Sequence, residues 1–168
     1  MNALFWMAAL VVIGLDQGSK QLVLATLPAL HDSRVIWPGV LAFTHVENSG
    51  IAFGMLRGQG WGLIAISAAA AAGIVYYWRR LSRRSARLNL LTVLGLALPL
   101  GGAVGNLLDR IRLGQVTDFI DFGWWPVFNL ADTAITVGAV LFALACLLPA
   151  APPPVAEPAA DNSTSAGG

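Results

Sequence analysis

Asp118 and Asp132, in the stretches VTDF (116–119) and FNLAD (128–132), are the residues best suited to chemistry in this chain. The second sits in a run otherwise apolar enough to cross a bilayer. An ionised carboxylate in hydrocarbon costs about 2.5 to 3.5 kcal/mol even on lenient insertion scales, so an intramembrane acid marks a functional site by default. Two carboxyl groups held about 3 Å apart cannot both ionise and share one proton. The ionised member can activate a water while the protonated one donates to a leaving nitrogen, which is peptide hydrolysis without metal or serine. The connection between the two aspartates contains Gly123 and Pro126 and has slack to close.

Other chemistries are poorly supported. His31 and His45 are the only histidines, and neither lies in an HExxH helix. The lone Cys146 excludes an internal disulfide and a cysteine metal cluster, and reads as a small apolar residue. Ser19, Ser49 and Ser67 have no histidine at a suggestive spacing, and Ser19 with Lys20 would have to face each other as helical neighbours, which i and i+1 do not. No metal and no cofactor is expected.

The elements that must position the aspartates follow from composition. The chain has 168 residues, 57% hydrophobic and 11% charged, which suits one domain and is too apolar for an ordinary soluble one. Spanning a bilayer takes about 20 helical residues, and runs of that kind lie at 3–30, 61–78, 88–108 and 127–149. The reading is an all-α membrane protein of four transmembrane helices, a single unit over 1–149. The first span, interrupted by Asp16, Gln17 and Lys20 and without Lys or Arg before it, is expected to be retained rather than cleaved. Residues 150–168, rich in proline and alanine, read as a disordered cytoplasmic tail.

Arg79, Arg80, Arg83, Arg84 and Arg87 fill the connection between the second and third spans, which the positive-inside rule assigns to the cytoplasm. Both termini are then cytoplasmic, and the connections 31–60 and 109–126 face outward. Trp6 and Trp78 fall at inner ends, and Trp61, Trp124 and Trp125 at outer ends, as in interfacial belts. A net charge of +1 with its basic residues in one short segment gives no basic face for nucleic acid. The stretch 35–48 (VIWPGVLAFTHVEN) predicts a short strand pair. The segment 48–56 (NSGIAFGML) predicts tight irregular backbone dipping onto the bundle, and Gly50, Gly54, Gly58 and Gly60 make 48–60 a candidate lid.

Converting position to height at ~1.5 Å per residue levels the polar groups. Asp16 stands roughly 20 Å up the first span, with Lys20 one turn above and in range of an i, i+4 ion pair. Asn106 ends the third span, and Asp132 lies about six residues into the fourth with Asn129 on its face. Asp109, Arg110, Asp118 and Asp121 fall in the outer loop between them. Asn106 and Asn129 could pair across helices, Arg110 could snorkel to phosphates, and Asp121 suits solvent. Asp132 resists a structural explanation, since Lys20 is the sole cation offered by any span. A small proton-coupled transporter is the alternative reading, but its relay would spread carboxylates across the bilayer, and the inner half here has none.

The runs DQGSK (16–20), ENSGIAFG (47–54), GGAVGNLLDRIRLGQVTDFIDF (101–122) and FNLADTAITVG (128–138) together resemble the ordered motifs of bacterial lipoprotein signal peptidase, or signal peptidase II. The resemblance covers nearly the whole chain short of its tail. It implies an intramembrane aspartic endopeptidase that removes the signal peptide from prolipoproteins, cutting just before a lipobox cysteine that carries a diacylglyceryl group. Asp118 and Asp132 match its catalytic pair. Asp16, Asn48, Asn106, Arg110 and Asn129 match polar residues that line its site, and Gly102 lies in its glycine-rich stretch; Lys20, Asp109 and Ala131, within the same runs, are further candidates for binding or positioning. The resemblance further implies a small extracytoplasmic β-cradle and a short outer amphipathic helix within 31–60. It also implies a multi-pass place in the bacterial inner membrane, an active site near the outer face, contact with membrane lipids and inhibition by globomycin-type cyclic peptides. A monomer is expected.

Overall fold

Hydropathy finds apolar stretches, whereas caps decide where helices stop, and the two diverge at several ends here. The computed structural model describes residues 1–50, 60–84 and 88–148. Four helices, α1 (Asn2–Thr26), α2 (Gly60–Arg84), α3 (Leu90–Leu113) and α4 (Leu130–Leu147), are each long and apolar enough to span a membrane. Three strands accompany them: β1 (Ser33–Trp37), β2 (Leu41–Asn48) and β3 (Val116–Asp121).

Asn89 starts α3, its side chain accepting from Thr92 N at 2.7 Å. The helix stops at Gly114, whose φ of 79° is the left-handed conformation that glycine adopts without a Cβ penalty, and whose N–H returns to the Arg110 carbonyl. Asp109 and Arg110, expected in a loop, therefore belong to the last turns of α3. At α4 the cap is Asn129, which accepts from Asp132 N at 3.0 Å. Asp132 is thus the third residue of its helix rather than six residues into a span.

α3 is the central helix and packs against α1, α2 and α4. Small residues allow it, as expected where lipid supplies no hydrophobic drive and close backbone packing must hold helices together. A Cβ on Gly102 would collide with the Ala131 carbonyl oxygen, so only glycine lets α3 and α4 approach this closely. On α1 the buried residues are Phe5, Ala9, Asp16, Lys20 and Val23, one stripe at i+3, i+4 spacing, while Leu10, Leu15 and Leu22 face outward. The charged pair shares the inward stripe with the apolar core. At the other end of the bundle Phe5 stacks on Trp78 with ring centroids 4.1 Å apart. Trp78, expected in an interfacial belt, is buried there; Trp61, Trp124 and Trp125 are exposed.

The strands form one antiparallel sheet in the order β1-β2-β3. The expected strand pair is β1 with β2, and β3 carries Asp118 opposite Val46, so Asp118 lies in a strand rather than a loop. The β-branched pattern VTDFID favours that state. Thr44 ties β2 to β3 by donating to Asp121 Oδ2 at 2.8 Å, and Gly123 N donates to the other oxygen of Asp121 at 2.7 Å. Of the stretch 31–60 expected to hold an amphipathic helix and, at 48–60, a lid, residues 33–37 and 41–48 form β1 and β2 and Gly60 begins α2, while residues 51–59, like the tail 150–168, fall outside the described residues.

Candidate active site

A buried lysine is tolerable only if its three donors are met, and Lys20 meets all three. Its Nζ stands 2.9 Å from Asp16 Oδ2 and 2.8 Å from Asp109 Oδ2, and donates to Asn106 Oδ1 at 2.9 Å. The expected i, i+4 pair is present, but it is one arm of a junction joining α1 to α3. Asp16 extends the junction to α4, accepting from Ala131 N at 3.0 Å. Asp109 accepts from Gln17 Nε2 at 2.9 Å and from Thr117 N at 3.3 Å, which fixes the start of β3.

Asn106 passes this order to the fourth helix. Lys20 and Asn129 Nδ2, the latter at 3.2 Å, both donate to its Oδ1, so its amide nitrogen turns to Asp132 and donates to Oδ1 at 2.8 Å. Asn129 Nδ2 also donates to Asp118 Oδ1 at 2.6 Å. Asn48 donates to the other oxygen, Asp118 Oδ2, at 2.8 Å, and its own amide is oriented by Gly50 N. The two aspartates are therefore linked by a continuous path, Asp118 to Asn129 to Asn106 to Asp132. Lys20 is spoken for by its ion pairs with Asp16 and Asp109 and pairs with neither Asp118 nor Asp132.

The two carboxyl groups differ in setting. Asp132 is half-buried in the first turn of α4, where the helix macrodipole favours negative charge. Asp118 is buried on β3. Burial pushes its carboxyl up to about 6; the nearby Asp132 charge acts in the same direction, while hydrogen bonds from Asn48 and Asn129 and the Lys20 charge oppose it. An acid that titrates near neutrality beside a second carboxylate can hold and release a proton at working pH.

Arg110 lies on α3 one turn beyond Asn106. Its Nη1 donates to Ser67 Oγ of α2 at 3.3 Å and to the Asn106 carbonyl at 3.4 Å, and its Nε is buried without a partner among the described residues. It is thus turned into the bundle and held by α2 rather than directed to headgroups. Gly102 and Ala131 belong to the close α3–α4 contact beneath the aspartates. Gln17, Thr117 and Ser67 also take part and were not singled out from sequence as site residues. Gln17 adjoins Asp16 and Thr117 adjoins Asp118, but uncharged polar residues carry no signal above the background of helix ends and strands. Among the described residues no group of three or more His, Cys, Asp or Glu side chains is arranged to hold a metal ion.

Known proteins share both the sequence and this architecture. The signal peptidase (SPase) II family profile matches residues 8–148. The lipoprotein signal peptidase of Syntrophomonas wolfei is 46% identical over 147 residues, covering 86% of this chain and 93% of the relative. That of Symbiobacterium thermophilum is 44% identical over 144 residues, covering 83% and 91%. A solved bacterial membrane enzyme superposes with a TM-score of 0.74 at 32% identity, over 84% of this chain and 90% of its own.

Proposed function

The chain belongs to the signal peptidase II family, and from that membership we propose that it is an intramembrane aspartic endopeptidase cutting the signal peptide from diacylglyceryl-modified prolipoproteins just before the lipidated cysteine. The observation that carries the aspartic mechanism is the amide path joining Asp118 to Asp132 through Asn129 and Asn106. In this reading the pair shares one proton. The ionised carboxylate takes a proton from water, the hydroxide attacks the scissile carbonyl carbon, and the protonated carboxyl supplies the proton that the leaving nitrogen needs.

The remaining residues divide by what they touch. Asn48, Asn106 and Asn129 hold the carboxyl oxygens, and Arg110, one turn beyond Asn106, serves to position water or the scissile carbonyl. Asp16, Lys20 and Asp109 act through the scaffold, while Gly102 and Ala131 permit the helix approach. A diacylated cysteine is kept at the membrane surface by its own chains, which suits a site gathered at one end of the bundle. We read that end as the outer face, with both termini cytoplasmic, residues 1–149 as the peptidase unit and 150–168 as an appended tail. The enzyme is proposed to act as a monomer in the inner membrane and to bind globomycin-type cyclic peptides. The transporter alternative wants carboxylates across the bilayer; Asp16, Asp109 and Asp132 cluster at one end instead.

The test is to present the purified protein with a prolipoprotein bearing or lacking the diacylglyceryl group and to sequence the product. Cleavage of the lipidated form alone, with cysteine as the new N-terminus, is expected. Equal cleavage of both forms, or a different new terminus, would overturn the lipid-directed reading.

A further inference from the structure

From the end of the bundle opposite the aspartates up to the level of Ile13 and Val104, α1, α2 and α3 leave a groove of about 490 Å³, within the range of small-ligand sites. Its walls are apolar and include Leu10 and Ile13 of α1, Val75 of α2, and Leu100 and Val104 of α3. The run of alanines 68–72 on α2 opens it, because these side chains are too short to fill the space against α1. Trp6, Tyr76 and Arg79 stand at one end.

That end runs into a second hollow of about 430 Å³, formed by Tyr76, Arg79, Arg80, Arg83 and Arg84. Residues 72, 76, 79, 80 and 83 recur at i+3 and i+4, so groove and arginines occupy one continuous face of α2. Arg79 lies twelve residues beyond Ser67, the α2 partner of Arg110, which is about 18 Å along the helix and well clear of the active site. Arg80 Nη1 donates to the Tyr76 hydroxyl at 3.3 Å, which holds one guanidinium over the mouth. Among the described residues no carboxylate pairs with Arg79, Arg80, Arg83 or Arg84, and the described residues of that half contain no Asp or Glu.

We propose that this groove is a binding site for an anionic phospholipid of the leaflet opposite the active site, with an acyl chain between α1 and α2 and the headgroup phosphate on Arg79, Arg80, Arg83 and Arg84. Charge complementarity selects the occupant. An apolar slot opens directly onto a cationic cluster, and a diacyl phosphate has both parts in that order. A zwitterionic lipid would fill the slot but bring a second cation to the arginines. A signal sequence with a basic leading segment would be repelled there.

The test uses the full-length protein in neutral detergent, titrated separately with dioleoyl-phosphatidylglycerol, dioleoyl-phosphatidylcholine and inorganic phosphate, with bound lipid counted by native mass spectrometry. Phosphatidylglycerol is expected to bind preferentially. The Arg79→Gln/Arg83→Gln variant should lose about thirtyfold in that affinity, at roughly fivefold per charge. Ala72→Phe, which leaves every arginine in place but blocks the slot, should also weaken phosphatidylglycerol binding, and circular dichroism and prolipoprotein cleavage in detergent should match wild type for both variants. Equal retention of the two lipids would overturn the proposal. So would phosphatidylglycerol binding unchanged by Ala72→Phe in a folded protein, which would mean headgroup attraction without a groove, or displacement of the lipid by equimolar inorganic phosphate.

Discussion

Asn129 Nδ2 donates to Asp118 Oδ1 at 2.6 Å while its Oδ1 caps Asp132 N at 3.0 Å, so a single side chain sets the spacing of the two aspartates and begins the helix that carries one of them. The two duties separate by substitution. Serine is a good N-cap but has no amide to reach Asp118. Asn129→Ser is expected to keep the melting temperature and lose about ten- to a hundredfold in kcat, the worth of one hydrogen bond to a charged group. A variant that melts early but turns over normally per folded molecule would assign Asn129 to the fold alone.

The pH dependence has a definite direction. With the Asp118 carboxyl raised by burial to about 6, the rate profile in kcat/KM is expected to bend near that pH, reporting the coupled pair rather than one residue. The Asn48 amide favours the ionised form, so Asn48→Ala should carry the bend to higher pH. A shift to lower pH in the variant would contradict the hydrogen-bond assignment.

Lys20 is held by two acids and an amide inside the bundle. Removing one member of a buried ionic group costs about 3 to 5 kcal/mol because its partners are left uncompensated. Lys20→Met should therefore lower unfolding stability by that order, while Lys20→Met with Asp16→Asn and Asp109→Asn should recover part of it. Denaturant titration of the two variants decides the point, and equal loss in both would show that the ionic junction is not the source.

Close approach is the last structural claim that a substitution can reach. A Cβ on Gly105 would stand 2.5 Å from Asp16 Oδ2, pressing the carboxylate away from Lys20 and Ala131 N. Gly105→Ala is expected to cost about 1 to 3 kcal/mol as overpacking, measured by thermal unfolding. Gly73→Ala, where a Cβ meets nothing, should be neutral or slightly stabilising.

Much of the site is legible in the sequence because a charged group in an apolar run advertises itself. Asp16, Lys20, Asp118 and Asp132 stand out on that ground, and the common height of the polar groups anticipated that Asn106, Asn129, Asp109 and Arg110 would gather near them. The strand pair of β1 and β2 was also readable from its β-branched and aromatic residues. Boundaries were not, because a hydropathy window ends where charge begins, and α3 continues past Asn106 through two charged turns. Gly114 was the available signal: a glycine just after Arg110 and Arg112 reads as a helix stop. Asn129 before the fourth apolar run was likewise a cap signal, and would have put Asp132 in the first turn. Sheet membership of Asp118 depends on a pairing between residues about seventy positions apart, which local pattern does not encode.

The central claim is that Asp118 and Asp132 act as one proton-sharing pair. It is tested most directly by measuring cleavage of a diacylglyceryl prolipoprotein by purified wild type beside Asp118→Asn and Asp132→Asn, each checked for native melting. An amide keeps the shape but cannot shuttle a proton, so both variants should lose at least about a hundredfold in turnover while remaining folded. Wild-type turnover by either folded variant would contradict the account.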